Sequence, residues 1–268
     1  MQISDRIKSI KPSLTLAMNA KALELKEQGV MVTSLAVGEP DFPTPKHICE
    51  AAKAAIDSNF CRYTAVPGIR ELRKAVCGYY SNQYDLTIRP ENVIISNGGK
   101  QALYNYIMCT VNPGDEVIIP APYWVSYPAI VELAGGVPVY VEAGPEDGFK
   151  VSPDKIRKAI TPKTKLFILN SPCNPTGAVY SASELEGIMD VVIGAGLNVF
   201  SDEVYDQLVF APAEMASASP YFAKYPEQVS ILCGLSKSFA MTGWRIGFVC
   251  APPEIDKALF KIHQYVIM

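Results

Sequence analysis

The chain has 268 residues, of which 49% are hydrophobic and 19% charged, a composition that can bury a large core. Its net charge of −3 and the lack of an apolar run of ~18 residues give no reason to expect a nucleic acid or a membrane as partner. Seven cysteines without a C-x-x-C pair and two distant histidines, His47 and His263, favour reduced thiols and predict no metal site. We therefore expect a cytoplasmic protein with one large domain, alone or with a fragment of another.

The predicted elements alternate between helices and short strands. Along the first part of the chain we predict a helix over 16–28 ending at Gly29, an extended segment over 31–37, and a helix over 46–57 that Thr44 and Pro45 begin. Apolar runs predict strands over 93–95, 117–119, 137–141, 166–169, 197–200, 229–233 and 246–250. Helical patterns lie near 100–110, 123–134, 153–160, where Ser152 and Pro153 mark the start, 182–193 and 252–266. This alternation predicts an α/β fold with a mostly parallel sheet covered by helices on both faces.

Polar motifs follow several of the predicted strands. The segment 170–177, NSPCNPTG, follows the strand over 166–169, and Ser201 to Tyr205, SDEVY, follows the strand over 197–200. Open α/β sheets build their sites at the carboxyl ends of strands, so both motifs are candidate site segments. The segment 96–103, SNGGKQAL, opens a helix after a strand, which is a place for a phosphate group.

A lysine between two serines carries the most informative candidate chemistry. Lys237 follows Ser236 after an apolar run, and Arg245 comes eight residues later. A lysine amine is nucleophilic only when it is deprotonated, and desolvation beside a second cation lowers its pKa toward that state. Lys237 is therefore a candidate Schiff-base nucleophile, although a lysine near a strand end is also often a surface residue.

Together with the segments 37–42, 63–68 and 123–128, these motifs resemble the class I family of pyridoxal-phosphate aminotransferases, and within it the bacterial aspartate-aminotransferase-like group. The resemblance runs from Pro12 to the last residue and implies the fold type I PLP-transferase architecture with a seven-stranded, mostly parallel sheet. It implies an N-terminal arm and partial small domain over 1–45 and a cofactor-binding large domain over 46–268. The family's C-terminal small-domain portion, with its arginine for the substrate α-carboxylate, has no counterpart here, so we expect poor transamination by this chain.

The resemblance also implies a role for each site residue. Lys237 holds pyridoxal phosphate as a Schiff base and later acts as general base, while Asp202 keeps the pyridine nitrogen protonated. Tyr205 and Asn174 donate to the 3′ oxygen, the latter after a cis Asn174–Pro175 peptide. The remaining contacts are Trp124 against the ring, Gly99, Lys100, Ser236 and Arg245 at the phosphate, Tyr63 at the phosphate of the neighbouring subunit in a homodimer, and Gly38 at the substrate carboxylate.

The implied reaction moves the amino group of an amino acid to a 2-oxo acid. Aspartate and 2-oxoglutarate are favoured, because Lys100 matches a position that can meet a distal carboxylate, with Trp124 and Asn174 also close to the substrate. An aromatic amino acid is the main rival, since Tyr63, Trp124 and Tyr127 together offer an apolar lining. A β-lyase or related enzyme and a non-catalytic cofactor-binding module are further alternatives. An S-x-x-K acyl enzyme at 152–155 lacks its companion motifs.

Overall fold

The protein is described by a computed structural model that covers residues 2–8, 10–35 and 37–267. Its seven strands lie where the apolar runs predict them. They are β1 (Val93–Asn97), β2 (Glu116–Ala121), β3 (Val137–Glu142), β4 (Thr164–Asn170), β5 (Asn198–Asp202), β6 (Val229–Gly234) and β7 (Ile246–Cys250). Most are longer than predicted, because polar residues such as Asn170 and Asp202 extend the apolar runs at their carboxyl ends.

The strands form one sheet in the order β1-β7-β6-β5-β4-β2-β3. The neighbours from β3 to β6 are all parallel, whereas β7 is antiparallel to both β1 and β6. The prediction of a mostly parallel, seven-stranded sheet is thus confirmed. The parallel arrangement places the carboxyl ends of β4, β5 and β6 side by side at one edge.

Eleven α-helices accompany the sheet in the described residues. They are α1 (Asp5–Lys8), α2 (Leu14–Glu27), α3 (Lys46–Asp57), α4 (Arg70–Tyr84), α5 (Gly99–Thr110), α6 (Ser126–Leu133), α7 (Pro153–Ala159), α8 (Ala182–Gly194), α9 (Ser219–Lys224), α10 (Leu235–Ser238) and α11 (Pro253–Ile267). The sequence pattern missed α1, α4, α9 and α10, and α2 begins two residues earlier than predicted. Within the expected 31–37 segment, Ala36 lies outside the described residues.

One predicted helix cap is wrong. Pro45, not Thr44, occupies the N-cap position of α3, which has no side-chain cap. The Thr44 hydroxyl instead donates to the Ala240 carbonyl oxygen at 2.6 Å and accepts from the Trp244 indole at 3.1 Å. Thr44 therefore ties the segment before α3 to the loop after α10. The Ser152 cap of α7 is confirmed, since its hydroxyl accepts from the Lys155 amide at 3.3 Å.

The core lies on both faces of the sheet because successive strand residues point to opposite sides. In β4, Phe167 and Leu169 pack with α4, α7 and α8, while Leu166 and Ile168 pack with α5, α6 and α11. Fully burying side chains of this size stabilises the fold by about 1.5–3 kcal/mol each. The two-sided burial explains why the strands read as continuous apolar runs, and it holds their polar carboxyl ends in fixed positions.

The N-terminal helices α1 and α2 contain no buried residue. Several of their large apolar side chains, including those of Leu14, Leu16 and Met18, are exposed. A division into a segment over 1–45 and a domain over 46–268 stays a prediction. Within the described ranges, no helix is both long and apolar enough to span a membrane.

Candidate active site

The loop after β4 is shaped by Asn170, the last residue of that strand. Its side-chain amide donates to the main-chain oxygens of Asp202 at 3.1 Å and Pro172 at 3.2 Å. Its side-chain oxygen accepts from the Asn174 amide at 2.8 Å. Asn170 therefore fixes the loop that carries Asn174 to the end of β5. The Asn174–Pro175 peptide is cis, as predicted.

Asn174 and Tyr205 meet at this edge of the sheet. The Asn174 side-chain amide donates to the Tyr205 hydroxyl at 3.4 Å. Burial, followed by the nearby charge of Asp202, raises the pKa of Tyr205, so the phenol keeps its proton. The two side chains come from loops after neighbouring parallel strands and together offer a donor pair toward the space above the sheet.

Asp202, the last residue of β5, is a buried carboxylate with 3% of its surface exposed. The Tyr127 hydroxyl donates to it at 2.7 Å and the Val204 amide at 3.3 Å. Burial raises the pKa of Asp202 to about 6, and these two donors oppose that rise. The carboxyl group therefore remains mostly ionised at neutral pH, although it lies in an apolar setting.

Lys237 lies in the one-turn helix α10, directly after the end of β6. Its ammonium group donates to the Gly38 carbonyl oxygen and lies 5.6 Å from the centre of the Tyr205 ring. Burial lowers the pKa of Lys237; Glu39 opposes this shift and the Arg245 cation adds to it. The expectation that desolvation and Arg245 act together on this amine is therefore supported, with burial the larger effect.

The start of α5 forms a second positively charged corner. Gly98 has a φ of +76°, and a Cβ there would lie 2.3 Å from the Arg245 guanidinium. Gly247 is required for the same packing, since its Cβ would lie 2.4 Å from the Gly99 amide nitrogen. The Arg245 side chain is anchored by donating to the Thr242 carbonyl oxygen at 2.8 Å. The Arg245 guanidinium thus lies beside the N-terminus of α5, where the helix dipole also favours an anion.

Lys100 and Trp124 lie next to this corner. The Lys100 ammonium is 5.0 Å from the centre of the Trp124 ring, and the Trp124 ring meets Tyr127 edge-on with centres 5.5 Å apart. Burial and then the charge of Arg245 lower the pKa of Lys100. These contacts place one partly desolvated cation beside Trp124. Trp124 in turn contacts Tyr127, whose hydroxyl binds Asp202.

A sequence model of the family described as "Aminotransferase class I and II" matches residues 30–268 of this chain. The chain belongs to this aminotransferase family. The aspartate/prephenate aminotransferases of Thermus thermophilus and Cereibacter sphaeroides are 45% and 46% identical to it, over 97% and 98% of this chain and 66% of each relative. The chain thus spans just under two thirds of their length.

Solved aminotransferase structures have the same fold. The aspartate aminotransferase from Thermus thermophilus with maleate superposes with a TM-score of 0.95 at 44% identity, over 99% of this chain and 69% of that one. The aspartate aminotransferase from Rhizobium meliloti gives a TM-score of 0.94 at 36% identity, over 100% of this chain and 67% of that one. The predicted fold type I architecture is therefore confirmed.

Most of the residues expected from the aminotransferase resemblance lie at this one edge. Asp202, Tyr205, Asn174, Trp124, Lys100, Gly99, Ser236, Lys237, Arg245 and Gly38 lie on or beside the segments described above. Tyr63 does not join them: its side chain is 92% exposed, in the segment before α4. Its expected role at a neighbouring subunit stays a prediction.

The structure bears on two of the alternatives: it corrects the place of Tyr127 in an aromatic lining, and it agrees with the rejection of an S-x-x-K site at 152–155. Tyr127 was a candidate for an apolar substrate lining, but it is 2% exposed and its hydroxyl binds Asp202. In the 152–155 segment, Ser152 caps α7 and the Lys155 ammonium binds the Asp147 carboxylate at 2.6 Å, so this pair forms no nucleophile and base.

Sequence reasoning also missed supporting residues. Asn170 and Tyr127 bind site residues, yet no role follows for them from the motifs alone. For Asn170 the signal was its place at the end of a strand inside a polar motif. For Tyr127 no sequence signal exists, because its partner Asp202 is 75 residues away.

Proposed function

We propose that this chain carries the cofactor site of an aminotransferase that uses pyridoxal phosphate, with Lys237 as the attachment residue. The observation that carries the proposal is the convergence of one partly desolvated lysine, one buried carboxylate and one anion corner at the same sheet edge. Each is the partner that a different part of this cofactor requires. The chain spans 66% of the first relatives, so its activity, substrate and assembly are proposals.

The residues present fit the cofactor. The start of α5 and Arg245 supply donors and positive charge for a phosphate, and Gly98 leaves room for the guanidinium. Asp202 supplies a buried negative charge for the protonated pyridine nitrogen. Asn174 and Tyr205 supply donors for the phenolic oxygen, and the Trp124 indole supplies a flat apolar face.

When bound, pyridoxal phosphate supplies an electron sink that stabilises negative charge at the Cα of the amino acid. The protein's own contribution is to move the proton. Lys237 suits that role, because the lowered pKa of its amine favours the neutral form that accepts a proton from Cα. Two groups hold the amine beside the Tyr205 turn: the Tyr205 ring, whose centre lies 5.6 Å from the ammonium nitrogen, and the Gly38 carbonyl oxygen.

Aspartate, with 2-oxoglutarate as acceptor, is the substrate pair we propose. Lys100 supports it, because a partly buried cation held over the Trp124 ring can bind a distal carboxylate. Relatives named aspartate or aspartate/prephenate aminotransferase point the same way. The alternative of an aromatic substrate loses support, since Tyr127 is buried with its hydroxyl bound to Asp202 and the Tyr63 side chain is exposed to solvent.

A homodimer follows from the same proposal. The Tyr63 side chain is 92% exposed and would complete the phosphate corner of a second copy. The cytoplasmic location expected from the composition also stays a prediction.

A panel of amino acids offered to the cofactor-loaded 268-residue chain tests this function. We expect aspartate to convert the bound cofactor slowly, in keeping with the poor transamination expected from the sequence, to its aminated form with release of one 2-oxo acid per site, as followed by absorbance and by product assay. Lys237→Ala, which lacks the amine, is the control and should show no conversion. Release of ammonia instead of amino transfer would identify a lyase, and no spectral change on adding pyridoxal phosphate would contradict the proposal.

A further inference from the structure

A buried carboxylate beneath the site plays no part in the function described so far. Asp206 follows Tyr205 in the turn after β5 and is 4% exposed. One of its oxygens, Oδ1, accepts from the Ser238 hydroxyl at 3.1 Å. The other, Oδ2, accepts from the Tyr84 hydroxyl at 3.2 Å and from the Tyr79 hydroxyl. Asp206 therefore joins α4, the turn after β5 and α10.

The two tyrosines act as donors because they stay protonated. Burial is the main cause that raises the pKa of both Tyr79 and Tyr84, and the negative charge of Asp206 adds to it. The Gln207 side-chain amide donates to the Tyr79 hydroxyl at 2.8 Å and extends the cluster. A buried carboxylate with three hydroxyl donors is firmly held, since removing a donor leaves a buried charge less satisfied.

Two adjacent residues of α10 contact two adjacent residues of the turn after β5. The Lys237 ammonium lies 5.6 Å from the centre of the Tyr205 ring. The next residue, Ser238, donates to the residue after Tyr205, namely Asp206. The Tyr205 turn and the Lys237 turn are thus attached to each other at adjacent positions, with the Asp206–Ser238 bond next to the reactive amine.

The helix that carries Lys237 depends on such outside contacts. It has only four residues, Leu235–Ser238, and a single helical turn is unstable by itself because nucleation is unfavourable. Main-chain bonds from Phe239 to Leu235 at 3.3 Å and from Met241 to Ser236 at 3.1 Å close the turn. The Ser238 side chain adds a hydrogen bond from this turn to the buried residue Asp206.

We propose that Asp206 is a positioning residue, which through Ser238 holds the Lys237 turn against the Tyr205 turn. The inference rests on the proposed function in taking Lys237 as the reacting residue. Without this bond, the amine would move toward water and away from Tyr205. Its proton affinity would then change, although no residue that contacts the cofactor is altered.

The reactivity of Lys237 in the cofactor-free protein tests this inference. A small acylating reagent is applied across a range of pH, and the modification of Lys237 is measured by peptide mass spectrometry against the exposed Lys163 as internal reference. Glu39, Arg245 and Tyr205 face the amine and are unchanged in every variant. Removal of Asp206 itself would leave three partly buried hydroxyls without their acceptor, so the Asp206–Ser238 bond is removed at Ser238 instead.

We expect Ser238→Ala to shift the midpoint of Lys237 acylation to higher pH and to slow it at pH 8 by about three- to tenfold, since one pKa unit is a tenfold change in free amine. Ser238→Thr keeps the hydroxyl and should restore the profile. Tyr84→Phe is the matched control. It removes another donor to Asp206, but on Oδ2, which retains Tyr79, and leaves the Ser238 bond to Oδ1 in place.

Urea unfolding of the same variants separates positioning from a general loss of stability. We expect Ser238→Ala and Tyr84→Phe to lose similar stability while only the first changes Lys237. An unchanged Lys237 profile in Ser238→Ala, or an equal shift in Tyr84→Phe, would overturn the inference. No cofactor or substrate is present, so failure of the proposed aminotransferase function would leave this result unaffected.

Discussion

The Tyr127 hydroxyl donates a 2.7 Å hydrogen bond to the buried carboxylate of Asp202. This bond opposes the effect of burial on Asp202, whose pKa is raised to about 6. Tyr127 belongs to α6 and Asp202 to the end of β5, so the contact also joins two elements beneath the site. A hydrogen bond to a charged group contributes about 1.5–3 kcal/mol.

We expect Tyr127→Phe to raise the pKa of Asp202 further and to leave less carboxylate at neutral pH. The acidic limb of the amino-acid half-reaction should therefore move to higher pH by about one unit. The rate is measured from pH 5 to 9 by cofactor absorbance. Tyr106→Phe is the control, because Tyr106 is a fully buried tyrosine of α5 that packs on Phe200. An unchanged acidic limb of the pH profile in Tyr127→Phe would contradict the role of Tyr127 in keeping Asp202 ionised.

A methyl group at Gly98 should disturb the anion corner. In Gly98→Ala the new Cβ would displace the Arg245 guanidinium, 2.3 Å away. We expect the affinity for pyridoxal phosphate to fall about ten- to hundredfold, while that for pyridoxal, which lacks the phosphate, changes little. Equilibrium titration with both compounds measures the difference.

Gly196→Ala is the matched control for Gly98→Ala. Gly196 has the same φ of +76°, but a Cβ there would meet nothing within 4 Å. Both variants place a side chain at positive φ; Gly98, with a ψ of 165°, lies in a region confined essentially to glycine, where the strain is about 1–3 kcal/mol. Equal weakening of both compounds in Gly98→Ala, or equal effects in the two variants, would show that strain and not the corner is responsible.

The sheet was predictable because its strands are buried on both faces and therefore read as unbroken apolar runs. Helix α4 was not, since its sequence, RELRKAVCGYYSNQY, is largely polar and the preceding Ile69 offers no side-chain cap. The motif residues of the site follow strand ends and were found from that position. Their supports are found only in the folded chain: Asp202 meets Tyr127 across 75 residues and Asp206 meets Ser238 across 32.

Lys100 is expected to discriminate between substrates. We predict that Lys100→Ala raises the aspartate concentration needed for half-maximal conversion by about tenfold, the effect of one lost charge-assisted contact. Phenylalanine has no distal carboxylate, so its requirement should change much less. The exposed Lys163→Ala controls for loss of one positive charge. Equal changes for aspartate and phenylalanine would remove the basis for the proposed substrate.

Glu203 should limit stability at higher pH. Its carboxyl group is buried and accepts from Ser201, Ser217 and the Ala218 amide, and burial raises its pKa to about 7. The folded state binds this proton more tightly than the unfolded state. The contribution of Glu203 to the free energy of unfolding is therefore full below about pH 4 and is lost as the pH rises through 7.

The variant Glu203→Gln stays neutral at every pH. Its stability relative to the original chain should therefore improve by about 3 kcal/mol between pH 4 and pH 8, as measured by urea unfolding at each pH. The raised pKa of Asp202 affects both proteins alike and cancels in the difference. A difference that is independent of pH would show that Glu203 titrates normally.

The attachment of pyridoxal phosphate to Lys237 is the central claim, and reduction with borohydride tests it most directly. The reagent makes the link between the cofactor and its lysine permanent, and peptide mass spectrometry then locates the modified residue. We predict one pyridoxyl group per chain, on Lys237, and none at that level in Lys237→Ala. A label on Lys100 or on any other lysine, with Lys237 unmodified, would contradict the account.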